Sequence, residues 1–133
     1  MTRIPRPVAN QILTHAQRSP EAEVCGLVSI DRDGLARTYP VANVAEHPGA
    51  LFQMDPKGQI EALRRIRVGG ESLFAIYHSH PHGPALPSER DLQEAAYREA
   101  LYLIVSLDTR GVLEMRGFRL SGQGVEAVGL EVS

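Results

Sequence analysis

The run Ser72–His80, SLFAIYHSH, constrains this chain more than any other stretch. It is apolar nearly throughout until it reaches the histidines. A strand with one wet face alternates apolar and polar residues, whereas a strand covered on both faces does not. The run therefore suits a strand in the middle of a sheet, and the rest of the chain must cover that sheet on both sides.

Helical stretches are available to do so. Val8, Ile12, Leu13 and Ala16 recur at helical spacing, so PVANQILTHAQRS reads as a first helix. Asp55 caps a second helix, with Pro56 in its first turn. Ile60, Leu63 and Ile66 form its apolar side, and VGG ends it. SERDLQEAAYREA reads as a third helix with Ser88 at the cap position. EVCGLVSI and ARTYPVANVA read as strands joined through the hairpin turn DRDG. LFQM is short and extended. LYLIVSLD and GVLEMRGFRL form a further strand pair around TRG, and GVEAVGLEV is a last strand. The expected fold class is α/β, of the α+β kind, with a mixed β-sheet flanked by helices.

With 133 residues, and no internal repeat or linker, the chain is expected to form a single domain over 1–133. Hydrophobic residues make up 43% and charged residues 23%, a globular balance. The net charge of −2 implies no basic face, which argues against nucleic acid and anionic membrane as partners. No apolar run approaches a membrane span, and MTRIPRPVANQIL lacks the apolar core of a signal peptide. The only cysteine, Cys25, has no partner for an internal disulfide, so a reducing, cytoplasmic location is expected.

The chemistry is concentrated in YHSHPHGPALPSERD, Tyr77–Asp91. Alternation along a strand points His78 and His80 one way and Ser79 the other. Two imidazoles on one face make half of a tetrahedral zinc site. A catalytic site needs a third protein ligand and an open position. Asp91, in a helix's first turn, is the nearest carboxylate. Ser88 and Asp91 also fit a capping box, which needs no metal. His82 is a rival ligand, but Pro81 ends the strand before it, so it is expected at the rim or in solvent. His15 and His47 have no partner nearby in sequence and read as surface residues. A hydrolytic site also wants a carboxylate outside the ligand set as proton acceptor. Glu21 and Glu23 share strand parity, and spacing alone does not choose between them. Cys25 lies in the apolar run VCGLV and reads as a small buried hydrophobe, not a nucleophile. Gly26 beside it allows close backbone packing.

Together these pieces resemble the JAMM metalloproteases, or MPN+ domains. The pattern is an early glutamate, then His-x-His, seven residues, then Ser-x-x-Asp. Here HSH occupies 78–80, seven residues follow, and SERD occupies 88–91. EVCGL places the early glutamate at Glu23. The resemblance covers almost the whole chain and is closest to the compact prokaryotic branch. It implies a fold broadly similar to the cytidine deaminase architecture. It also implies one Zn2+ per chain held by His78, His80 and Asp91. Glu23 would serve as general base and Ser88 as oxyanion donor in peptide or isopeptide hydrolysis. The implied substrate is a ubiquitin-like sulfur-carrier protein, cut after its Gly-Gly tail. Such a tail could add as an extra strand along GALFQM or a neighbouring segment.

Other classes stay in view. A non-catalytic MPN-type scaffold would need the motif to fail at metal loading, and a purely structural domain would carry the histidines incidentally. A zinc nucleoside deaminase needs His-x-Glu and Pro-Cys-x-x-Cys, which a chain with one cysteine excludes. The sequence leaves monomer and homodimer equally open.

Overall fold

In the computed structural model, residues 1–94, 97, 99–108, 113–121 and 124–133 are described. The elements run β1 (Thr2–Ile4), α1 (Arg6–Arg18), β2 (Cys25–Ile30), β3 (Ala36–Val41), α2 (Pro56–Val68), β4 (Ser72–His80), α3 (Glu89–Glu94), β5 (Leu101–Ser106), β6 (Glu114–Ser121), β7 (Gly124–Val128) and β8 (Leu130–Val132). Strands β3-β2-β4-β5-β6-β7 form one six-stranded sheet in that order. Its only parallel pair is β4–β5; the other four pairs are antiparallel. β4 lies inside the sheet, as its apolar run requires.

The sheet is covered on both faces. Ala75 and Tyr77 of β4 join Val8, Ala9, Ile12 and Ala16 of α1 in one cluster. Ile76 joins Ala62 and Ile66 of α2 in the other. The alternation that separates them also carries His78 and His80 to the α2 side.

Local signals account for most boundaries. The DRDG hairpin closes with Gly34 at φ +81°, a conformation glycine adopts without strain. There the Asp31 carboxylate accepts hydrogen bonds from the Asp33 and Leu35 amides. α2 starts where the Asp55 side chain accepts from the Gly58 amide.

Several expectations need correction. Ile60 is 66% exposed, so the buried side of α2 is carried by Ala62 and Ile66. The third helix is short, Glu89–Glu94; part of its expected continuation, at 95, 96 and 98, lies outside the described residues. So does the TRG turn at 109–111. The tail is two strands rather than one. β7 extends the sheet, whereas β8 leaves it to pair in parallel with β1, a strand the N-terminal sequence did not suggest. That pairing seats Ile4, fully buried, in the α1-side core. LFQM forms no strand; only Met54 makes a bridge, to Asn43.

Candidate metal centre

β4 carries His78 and His80 to its carboxyl end, beside the parallel strand β5. In open sheets with parallel strands, that end is where ligand crevices form. The Leu107 amide donates to the His80 carbonyl at 3.1 Å, and buried Ser106 donates to Gly83 O at 2.6 Å. These bonds fold the loop after β4 back over the strand end. α3 then begins at that same edge.

The Nε2 atoms of His78 and His80 are 3.1 Å apart, and Asp91 Oδ2 lies 3.1 Å from the first and 3.2 Å from the second. His78 is 1% exposed and His80 9%. The protonation pattern makes this triangle unusual. His80 Nδ1 sits 2.8 Å from Pro84 O, an acceptor only, so Nδ1 carries the proton. In the neutral ring, His80 Nε2 then offers a lone pair, and it faces a carboxylate oxygen that already accepts the Ser88 amide at 2.9 Å. Acceptors converging at this distance require a proton or a cation between them. A tetrahedral zinc with bonds of about 2.0–2.1 Å spaces its ligand atoms about 3.3 Å apart, close to these edges. The donor set and its geometry therefore fit a zinc ion.

Electrostatics agree. Burial alone would raise the Asp91 carboxyl, yet hydrogen bonds from His78, His80 and the Ser88 amide hold it well below the usual carboxylate range. Burial lowers His78 despite Asp91 beside it. For His80 burial also pulls down, but Asp91 and the Pro84 carbonyl outweigh it and raise the ring.

Glu23 lies just before β2 and is 5% exposed. One of its carboxylate oxygens and the ring nitrogens of His78 and His80 all lie within 4.8 Å of one another, a buried Glu-His-His group able to hold a metal ion. Glu23 makes no hydrogen bond to either imidazole, and its Oε1 has no partner among the described residues. Burial pushes its pKa up to about 7, with His80 opposing and Asp91 adding. The Glu21 side chain, its rival by parity, is 87% exposed and lies 3.8 Å from that of His82, 70% exposed, so neither belongs to the buried group. The parity argument failed because residues 21 and 22 form a turn rather than strand.

Ser88 and Asp91 do form a capping box: the Asp91 amide donates to Ser88 Oγ at 3.1 Å, and the Ser88 amide to Asp91 Oδ2. The cap uses only an Oγ lone pair, so the hydroxyl proton remains available. Ser88 opens onto a cleft of about 550 Å3 shared with Glu23, His80, Gly49, Ala50 and Leu86.

Sequence reasoning missed three neighbours. Phe52 stacks on His78 with centroids 4.5 Å apart. Ser79 Oγ accepts the Val24 amide at 2.9 Å, while the Ser79 amide donates to Val24 O. Asn43 Nδ2 donates to the Glu23 carbonyl at 2.9 Å. None has a spacing signal, because each meets its partner from a segment distant in sequence. His15 was expected at the surface; instead its Nδ1 lies 2.8 Å from the Tyr77 hydroxyl. His47 is exposed as expected. Cys25 is fully buried, and its thiol is pushed up to about 12, first by burial and then by Glu23, which excludes a thiolate nucleophile.

A mixed six-stranded sheet between helices, with a buried Glu-His-His group at its central strand end, defines a JAMM-type metallopeptidase. Residues 5–120 match the family described as prokaryotic homologs of the JAB domain, and the chain belongs to it. It is 36% identical over 107 residues to the desampylase of Haloferax volcanii, covering 76% of this chain and 77% of that one. It is 39% identical over 105 residues to a probable TtuB-protein conjugate cleaving protease of Thermus thermophilus, covering 79% and 70%. The CysO-cysteine peptidase of Mycobacterium tuberculosis is 30% identical over 115 residues, covering 85% and 78%. Among solved structures, a protein from Desulfitobacterium hafniense superposes with a TM-score of 0.86 at 31% identity, covering 100% and 93%. A JAB1/MPN domain protein from Archaeoglobus fulgidus shares the fold, with a TM-score of 0.63 at 21% identity, covering 100% and 97%. No helix among the described residues is long and apolar enough to cross a membrane.

Proposed function

We propose that the chain is a zinc-dependent peptidase or isopeptidase that hydrolyses the amide bond after the Gly-Gly tail of a ubiquitin-like sulfur-carrier protein. The observation that carries this reading is the triangle of His78 Nε2, His80 Nε2 and Asp91 Oδ2, with sides of 3.1–3.2 Å, beside an unpartnered buried glutamate. His78, His80 and Asp91 would hold one zinc, which when bound would supply Lewis-acid polarisation and acidify water.

The remaining work falls to the chain itself. Glu23 stands outside the triangle, near enough to share a water with it. Without metal, burial lifts its carboxyl to about 7, and the charge of a bound cation would favour the ionised form that a general base needs at neutral pH. It takes the proton of the attacking water and delivers it to the departing amine. Ser88 directs its free hydroxyl proton at the developing oxyanion from the rim of the cleft. Asp91 serves twice, as ligand and as the acceptor that fixes the start of α3.

The depth of the site supports the substrate class. The ligating imidazoles are nearly covered, and the cleft is walled by Gly49, Ala50, Gly83 and three prolines. A chain without side chains next to the scissile bond would reach the covered imidazoles with least obstruction, and a branched one is expected to fit less well. Relatives named for cleaving TtuB conjugates and CysO-cysteine point to the same class of substrate. A single buried thiol suits work in the cytoplasm.

The test pairs metal analysis with cleavage. Elemental mass spectrometry should find about one zinc per chain, sharply reduced in Asp91→Ala. The zinc-loaded protein should release the group joined to a Gly-Gly sulfur-carrier tail, and Glu23→Ala should not. A carrier whose Gly-Gly is replaced by Val-Val and is cut equally fast would overturn the substrate assignment. Failure to take up zinc would leave a scaffold as the better account.

A further inference from the structure

Glu23 lies outside the sheet ladder. β2 pairs with both neighbours only from Cys25 onward, through Cys25↔Val41 and Cys25↔His78. A proton-transfer group must nonetheless be held to a fraction of an ångström, since small misplacements cost large factors in rate. Something other than the ladder must fix its backbone.

Val24 beside it is tied to Ser79 of β4, but the bonds to Glu23 itself come from one loop. The Glu23 amide donates to Pro48 O at 2.7 Å, and the Glu23 carbonyl accepts Asn43 Nδ2 at 2.9 Å. Asn43 also donates to Leu51 O at 3.1 Å, and its Oδ1 accepts the Ala45 and Gln53 amides, both at 3.0 Å. Two amide donors against Oδ1 and carbonyls against Nδ2 leave the side-chain amide one orientation. Its acceptor half closes the loop from 43 to 53. Its donor half ties that closed loop to Glu23. The same loop places Phe52 against His78 and Gly49 and Ala50 in the cleft wall.

We infer that Asn43 is a positioning residue for the reaction: through its Nδ2 it holds the Glu23 backbone, and hence the carboxylate, in register with the imidazole triangle. No other side chain of the described residues bonds the Glu23 backbone, and only an amide side chain, asparagine or glutamine, offers two N–H donors and a carbonyl acceptor at one tip. The inference rests on the reading of Glu23 as the base.

Asn43→Asp keeps the acceptor that takes the Ala45 and Gln53 amides and removes the donor to both Glu23 O and Leu51 O. The metal-free variant should still unfold cooperatively, at a lower temperature than the parent, since two hydrogen bonds are lost. Deuterium exchange at the Glu23 amide should accelerate about tenfold or more while Val28 in β2 is unchanged. With zinc, its metal affinity and KM should stay within about twofold, and kcat should fall about ten- to a hundredfold. Asn43→Gln, which retains both halves, should recover part of that loss. Unchanged Glu23 exchange and kcat in Asn43→Asp would overturn the inference, as would zinc affinity falling in step with kcat. If the parent protein with zinc cleaves nothing, the reading of Glu23 fails instead; the exchange measurement on metal-free protein still reports on the tether.

Discussion

A carboxyl buried without a partner weakens the fold that carries it, and Glu23 makes that cost measurable. Its folded pKa, raised by burial to about 7, exceeds the ordinary value of 4.5. The folded state thus holds a proton that the unfolded chain has released between those two values. The protonated group leaves stability intact below pH 4.5, and stability is lost as pH rises through about 7. That shift corresponds to at most about 3 kcal/mol. Metal-free Glu23→Gln should therefore be more stable than the parent in urea at pH 8, by up to about 3 kcal/mol, and no more stable at pH 4.5. An equal difference at both pH values would mean that ionisation is not the cause. Gly26 gives a second prediction at this scale. A Cβ there would lie 2.5–2.6 Å from the Tyr77 ring and hydroxyl, which are held by His15. Gly26→Ala should cost about 1–3 kcal/mol by overpacking, read from thermal or urea unfolding. The close packing of Gly26 was legible, because a glycine in an apolar strand has few other reasons to be there. The His15–Tyr77 bond was not, since its partners are 62 positions apart and no local periodicity links a helix to the strand beneath it.

At the scale of elements, legibility followed how much of an element's cause is local. β4 could be read because burial on both faces leaves a continuous apolar run. The β2–β3 hairpin could be read because DRDG carries its own turn chemistry, down to the left-handed Gly34. The start of α2 was written in Asp55 and Pro56, but its buried side was not, because Ile60 has the right spacing yet stands 66% exposed while Ala62 and Ile66 are buried. β1 and β8 were invisible as a pair: each is three residues long, and each exists only because the other end of the chain lies alongside. α3 carries the most information per residue. The aspartate of its capping box is also the proposed third metal ligand, so the proposed catalytic role of this turn is best tested at Ser88. Ser88→Ala should lose about 1 kcal/mol of stability, the ordinary cost of a cap. It should lower kcat about 100- to 1,000-fold, the usual cost of an oxyanion donor, with zinc content unchanged. A rate loss no larger than the stability loss predicts would assign Ser88 to the cap alone.

For the whole molecule, the site acts as a clasp between segments that the chain brings together late. His78 and His80 stand on β4, Asp91 on α3, and Glu23 ahead of β2. The sheet fixes the first pair, and Asp91 of α3 reaches both imidazoles at the strand end. Zinc binding should therefore stabilise the fold by linkage, about 2.7 kcal/mol at a hundredfold excess over its Kd, and Asp91→Ala should abolish most of the gain. The pH dependence has a definite sign. Asp91 is held well below the usual range and His78 is lowered, so neither carries a proton that must leave at neutral pH. His80 is raised and Glu23 sits at about 7, so the protons that compete with zinc are theirs. Zinc affinity should weaken as pH falls from 8 to 6, by about tenfold per pH unit for each proton displaced. In calorimetry across buffers of different ionisation enthalpy, one to two protons should be released per zinc near pH 6.5, and Glu23→Gln should remove the second. A release that Glu23→Gln leaves untouched would place every displaced proton on the imidazoles, and would mean that the base is already ionised before the metal arrives.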